Sequence, residues 1–374
     1  MSNLSRVETK PGRGGTLDVL RFAAAFFVVL FHYGGESPVP LDQLHPIFLR
    51  GYLATDFFLM LSGYVLARAY GRSVADGRIG PFEFLVRRIA RIWPAHLIVL
   101  SAMVVLLLAT NIAGLEPHHA GRFNWADLAP QVFLVQAWGN VGGWGWNIPT
   151  WSLSALLFCY AVFPGLWKVL GRFSLPAAIL TALALVGLVD AAAHLVLGRG
   201  LYDLPFNLGV VRALPLFLGG MVIARWTEQA PLSRAIAVPC GLIAGVALVA
   251  LQFAGRHDAG SVALIAMIML CAGSVPVVRP IPLAEAAGKL SFSLFITHLL
   301  VSIVWFGVLH QANEGVIPVW MRWGLWAGAL PAALIVALVF DRFIDQPVQA
   351  RVAPLLKSWF RPRPGRYQAP APSA

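Results

Sequence analysis

Two side chains sit where an apolar stretch gives them little reason to be. His32 stands toward the end of an apolar run that opens near residue 16, and Asp56 stands in the first half of the next run. An ionisable group in hydrocarbon costs at least ~2.5–3.5 kcal/mol, so its presence is a functional hypothesis by default. If the two runs cross a bilayer in opposite directions, both residues lie on the outer side of the core and can meet. An imidazole near a carboxylate can take a proton from a hydroxyl and hold it as imidazolium. The plainer alternative for His32 is a core histidine bonded to a backbone carbonyl. Arg21 precedes His32 by eleven residues, roughly 16 Å along a helix. A third feature is Arg87, Arg88 and Arg91 between Phe82 and Pro94. On a helix, Arg87/Arg91 and Arg88/Arg91 share a face. Such a cluster suits phosphate, because guanidinium grips phosphate oxygens as a fork; the alternative is an ordinary basic membrane anchor.

The elements that must position these groups are membrane helices. The chain is 58% hydrophobic and 12% charged, against about a quarter charged in soluble domains. Its apolar runs reach the roughly 20 residues that a spanning helix needs. In hydrocarbon the backbone must satisfy its own hydrogen bonds, which makes such runs helical. The predicted fold is therefore an all-α integral membrane protein, a single bundle of about ten transmembrane helices over 16–35, 47–70, 94–113, 151–170, 174–196, 207–225, 234–254, 259–276, 290–311 and 322–344. The organisation that follows is a terminal segment 1–15, a membrane domain 16–347 and a basic, Pro-rich tail 348–374, predicted disordered.

The net charge of +11 reads as topology rather than as a nucleic-acid signal. Lys and Arg concentrate in alternate loops by roughly four to one, which predicts both termini in the cytoplasm of a bacterial-type inner membrane, with lipids as partners. Asp18, Arg68, Asp190, His194 and Asp341 lie near helix ends, where they can snorkel. Cys159, Cys240 and Cys271 each fall inside an apolar run at no metal or redox spacing, so no metal is expected. The longest outer loop carries Trp125, Trp138, Trp144 and Trp146, with Trp151 following. Indoles there form an interfacial belt or a platform for sugar rings.

Taken in order, six stretches resemble the acyltransferase 3 family of membrane-bound acyltransferases. They are Leu17-Asp18-Val19-Leu20-Arg21 ending at His32; Asp56-Phe57-Phe58-Leu59-Met60-Leu61-Ser62-Gly63-Tyr64; Phe84 through Arg88 with Arg91, Ile92 and Pro94; Asn147-Ile148-Pro149-Thr150-Trp151-Ser152-Leu153-Ser154; Ser291 through Phe295 with His298; and Asp345-Gln346-Pro347. Each is weak alone, and six in register from residue 17 to 347 are strong. The resemblance implies ten helices, an acyl-CoA donor (acetyl-CoA above all) on the cytoplasmic face, and transfer to a hydroxyl, usually of a sugar in a cell-surface polysaccharide or lipid-linked glycan. It implies His32 as catalytic base, Arg21 as its companion on the first helix, and Arg88 and Arg91 as donor-binding. Asp56 is the candidate acid. Ser62, Tyr64, Trp151, Ser152, Ser154 and His298 are acceptor-binding or structural candidates, with Ser62, Ser152 or Tyr64 as candidate oxyanion donors.

One position departs from the family. Two residues after Ser154, where an acidic residue is usual, stands Leu156. Either Asp56 serves in its place, or the acid is dispensable, or the chain is a degenerate, non-catalytic member. A transporter or flippase of an acylated or lipid-linked solute is the rival of another class.

Overall fold

The computed structural model describes residues 13–115, 117, 119–139, 145–312 and 317–360. Every apolar run becomes a helix. In chain order these are α1 (Thr16–Tyr33), the short α2 (Leu41–Leu44), α3 (Gly51–Ala75), α4 (Pro81–Ile112), the short α5 (Leu128–Val132), α6 (Trp151–Leu170), α7 (Leu175–Leu197), α8 (Gly209–Gln229), α9 (Arg234–Ala254), α10 (Asp258–Ser274), α11 (Pro282–Ala312), α12 (Val319–Phe340) and α13 (Gln346–Trp359). Among the described residues there is no strand. The protein is an all-α integral membrane protein. Among the described residues, eight helices are long and apolar enough to cross a bilayer. The other two expected spans fall outside that measure. α3 carries Asp56, Arg68 and Arg72 along its length, and α10 has 17 residues.

The boundaries follow local chemistry. Ser174 caps α7, its Oγ accepting from Ala177 N–H, and Gly198 ends that helix at φ 64°, where a Cβ would be strained. Pro81 opens α4 at a position that needs no N–H donor. The third span begins earlier than expected, because Pro94 does not stop the helix: α4 runs from Pro81 straight through it. Pro94 removes one donor and leaves the carbonyl of Ala90 open. Gln349 on α13 closes the gap, its Nε2 lying 3.2 Å from both Ala90 O and Arg91 O. The tail also needs correction: the segment from 348 is helical to Trp359, reached through a π-helical turn at Asp341–Asp345. Residues 1–12, Trp144 and the tail beyond 360 lie outside the described residues.

Two cores hold the bundle. The larger is built mainly from α3, α4, α6 and α8. At its centre α3 and α8 meet backbone to backbone. A Cβ on Gly63 would lie 2.0 Å from Phe217 O, and one on Gly220 would lie 1.8 Å from Met60 O. Small residues allow this approach, which lets dispersion hold helices together where lipid removes the hydrophobic drive. The smaller core joins α1, α11 and α12 through Ala25, Val29, Leu294, Ala329, Ala333 and Ala337. α7 buries only Ala178, Ala182 and Ala193 and turns its leucines outward, as a lipid-facing helix should.

Candidate active site

The last turn of α1 brings His32 beside His298 of α11, with ring centroids 5.2 Å apart. His298 is fully buried and His32 partly so. The Nδ1 of His298 lies 2.8 Å from Phe295 O and 3.2 Å from Leu294 O. A carbonyl oxygen only accepts, so Nδ1 carries the proton and Nε2 carries the lone pair. That Nε2 is buried and has no hydrogen-bond partner among the described residues. The backbone thus fixes the tautomer that presents a proton acceptor. Two further bonds hold the pair in place. Tyr33 Oη donates to His298 O at 2.7 Å, and Trp326 Nε1 donates to Tyr33 O at 2.8 Å. The cation that bears on His32 is Arg122, in the loop after α4. Burial draws the Arg122 guanidinium below its usual range, and Glu36 opposes that pull.

Asp56 does not join this pair. Both its oxygens accept from Arg212 of α8, Nε to Oδ1 and Nη2 to Oδ2, each at 2.8 Å. Arg212 Nη1 also donates to Tyr202 O at 3.1 Å. The guanidinium lies against the rings of Tyr52 and Trp151, 5.6 and 5.7 Å from their centroids. Each oxygen keeps a lone pair, but the fork holds the carboxylate against α8, and among the described residues no hydrogen bond joins it to His32. The expected meeting of His32 with Asp56 is replaced by a buried ion pair tying α3 to α8.

At the arginine-rich end of the bundle the three α4 arginines diverge. Arg87 donates to Glu83 at 2.7 and 2.9 Å. Arg91 donates to Asp345 at 2.9 Å and lies over Phe292. Arg88 donates to Tyr70 Oη at 2.5 Å and stacks on the same ring, 4.6 Å from its centroid. Arg21 stays on this end, 3.6 Å from Asp18, a helix length away from His32. The arginines therefore do not form one open fork. Arg88 is the exception in charge: its partners are neutral, whereas Arg87, Arg91 and Arg21 each face a carboxylate.

The oxyanion candidates are committed elsewhere. Ser62 Oγ donates to Phe58 O at 2.8 Å, Ser152 Oγ donates to Pro149 O at 3.1 Å, and Tyr64 is buried in the larger core. Ser154 Oγ accepts from Ala137 N–H at 3.1 Å, and Trp151 stacks on Phe206. Ser154 thereby ties the loop between α5 and α6 to the start of α6. Leu156 is buried in the larger core.

Sequence reasoning missed a second polar group. His96 of α4, Gln131, Gln136, Asn147 and Thr150 are all buried. His96 had a signal, a histidine near the start of an apolar run. Gln131 and Gln136 read as ordinary loop residues and gave none.

Comparison with known proteins agrees with the family resemblance. A family model described as an acyltransferase domain, acyltransferase 3, matches residues 15–342. The chain is 30% identical over 198 residues to Protein 2 in picA locus of Rhizobium radiobacter, covering 50% of this chain and 98% of that protein. It is 33% identical over 167 residues to Acyltransferase MdmB of Streptomyces mycarofaciens, covering 42% of this chain and 40% of that one. No solved structure matches the chain.

Proposed function

The chain belongs to the acyltransferase 3 family of membrane acyltransferases, and we propose that it moves an acyl group, acetyl in the simplest case, from cytoplasmic acyl-CoA to a hydroxyl of a sugar in a cell-surface polysaccharide, glycolipid or related acceptor. The observation that carries this reading is the unpartnered Nε2 lone pair of His298 beside His32. The acceptor hydroxyl gives its proton to one imidazole of the pair. Its oxygen attacks the thioester carbonyl, a tetrahedral intermediate forms, and the C–S bond breaks. The imidazolium returns the proton to the departing thiolate, leaving an ester and free CoA. Two imidazoles this close resist double protonation, so the pair holds one proton at a time.

This chemistry tolerates leucine at 156. A carboxylate beside a catalytic histidine serves to fix its tautomer and orientation. Here the carbonyls of Leu294 and Phe295 do that for His298. On the donor side, Arg88 is the favoured phosphate ligand because no carboxylate neutralises it among the described residues. Arg91 can take phosphate only by sharing or releasing Asp345.

The test is acceptor-dependent release of CoA from labelled acetyl-CoA by the purified full chain in lipid nanodiscs. His32→Ala should lower turnover by about 10²–10⁴ while the protein inserts and unfolds at the parent temperature. Near-parental turnover in that variant overturns the reading. Movement of acylated solute across sealed vesicles without CoA release would favour the transporter.

A further inference from the structure

The second polar group has a property that follows from hydrogen-bond bookkeeping alone. His96 Nε2 lies 2.7 Å from Gln131 O. The oxygen only accepts, so Nε2 carries the proton and Nδ1 carries a lone pair. Asn147 Nδ2 donates to Ile296 O at 3.0 Å, which sets its amide so that Oδ1 faces away. Thr150 Oγ1 donates its single proton to Asn147 O at 2.7 Å, so it must accept from Gln136 Nε2 at 3.2 Å. That in turn fixes Gln136 Oε1. The three atoms left over are His96 Nδ1, Asn147 Oδ1 and Gln136 Oε1. All are buried without a partner among the described residues, and all three are acceptors.

One chain of bonds joins them. Gln131 Oε1 accepts from Asn147 N–H at 3.3 Å, and Gln131 Nε2 donates to Gly145 O at 2.7 Å. Buried polar atoms left unpaired are rare in folded proteins, and three of one kind in one network are a recognition pattern. Asn147 also holds the backbone of α11 two residues before His298, which places the network next to the reacting pair. Further along the same helix faces lies a cavity of about 120 Å³. Its lining residues Met103, Leu107 and Thr110 continue the stripe of His96 on α4, and Ile303 and Gly307 continue that of Ile296 on α11.

We infer that Gln136, Asn147 and His96 form a binding subsite for a neutral, hydroxyl-rich group, the sugar that presents the acceptor hydroxyl. An array of acceptors takes donors and repels anions. An ammonium would also donate, but the network contains no carboxylate to balance it. The inference rests on the acyl-transfer reading for the identity of its ligand as the acceptor, and its test does not depend on turnover.

The probes are methyl β-D-glucopyranoside, butyl β-D-glucopyranoside and methyl β-D-glucuronate, added to the full chain in nanodiscs and followed by thermal unfolding. The neutral glycosides raise the unfolding temperature and the glucuronate does not. A larger response to the butyl glycoside identifies a lipid-borne sugar whose chain enters the cavity, and equal responses identify a free sugar; both outcomes support the subsite. Gln136→Met removes the unpaired oxygen at nearly constant volume, together with the 3.2 Å bond from Nε2 to Thr150. It should weaken the glycoside response about tenfold in concentration. A merely structural glutamine predicts a change in the unliganded unfolding temperature without a change in the glycoside response. Asn147→Leu supplies a second variant if Gln136→Met fails to fold. An unchanged glycoside response in both variants, a glucuronate response equal to the glucoside's, or no response in the parent overturns the subsite. CoA release in a protein that shows no glycoside response would sink this inference and leave the transferase reading standing; glycoside binding without CoA release would do the reverse.

Discussion

Among the described residues, the two ends of the bundle leave different polar atoms unpaired: buried Nε donors of Arg68 and Arg88 at the arginine-rich end, and a set of acceptors in the half that holds the histidines. At the arginine-rich end, Arg21, Arg87 and Arg91 each face a carboxylate, and Gln349 fills the gap that Pro94 leaves in α4. In the half that holds the histidines, His298, His96, Asn147 and Gln136 each keep one acceptor atom unpaired. Satisfied polar groups stabilise a fold, whereas unsatisfied buried ones cost about 1–3 kcal/mol each. On the proposed reading, the contrast separates residues that hold the protein together from residues that meet a ligand. Residue type alone does not make that separation. Asp56 and His298 are both buried ionisable groups, and only their partners tell them apart.

The contrast can be broken most directly at His298. His298→Ala should reduce CoA release by about 10²–10⁴, as far as His32→Ala, with an unchanged unfolding temperature; a stability loss without a rate loss would move His298 to the structural side. Next comes Asp56→Asn, which leaves Arg212 buried without its counter-charge and should cost roughly 3–5 kcal/mol of stability. Denaturation of the variant in nanodiscs reads this, and a stable, inactive Asp56→Asn would return Asp56 to the chemistry. A smaller effect distinguishes two neighbouring arginines. Arg88→Ala should raise the donor KM about tenfold, and Arg91→Ala should raise it less while destabilising the protein by stranding Asp345. Equal donor effects would mean that the Asp345 pairing does not occupy Arg91. The smallest change is expected at the exposed Arg78–Asp76 pair, where Arg78→Ala should shift stability by no more than about 0.5 kcal/mol; a larger loss would show that exposure does not mark the dispensable pairs.

Much of the fold was legible because hydrocarbon leaves a chain few options. Apolar length forces helices, and all ten expected segments are helical. The ends were less legible. Pro94 marks the expected start of the third span, and the structure carries α4 through it, with Gln349, far along the chain, taking the carbonyl it frees. At the site, His32 and His298 were visible through residue type, depth and motif. Their pairing was not, because it depends on which face of α11 meets α1. Arg212 lies inside an apolar run, but nothing in its sequence neighbours links it to Asp56, 156 residues away. The amide network was the least legible part, since its meaning lies in which atoms remain unbonded, and sequence carries no record of that.

The bond from Tyr33 to the backbone of His298 spans 265 residues of chain. Ribosomes add about 5–20 residues per second, so α1 spends on the order of 15–50 s in the membrane before α11 has been made. During that interval His32 must be tolerated by the bilayer or by the insertion machinery without the ring that later sits beside it. The histidine pair therefore comes into existence only after most of the protein has been synthesised. A chain truncated before α11 should insert its early helices and yet contain no assembled centre.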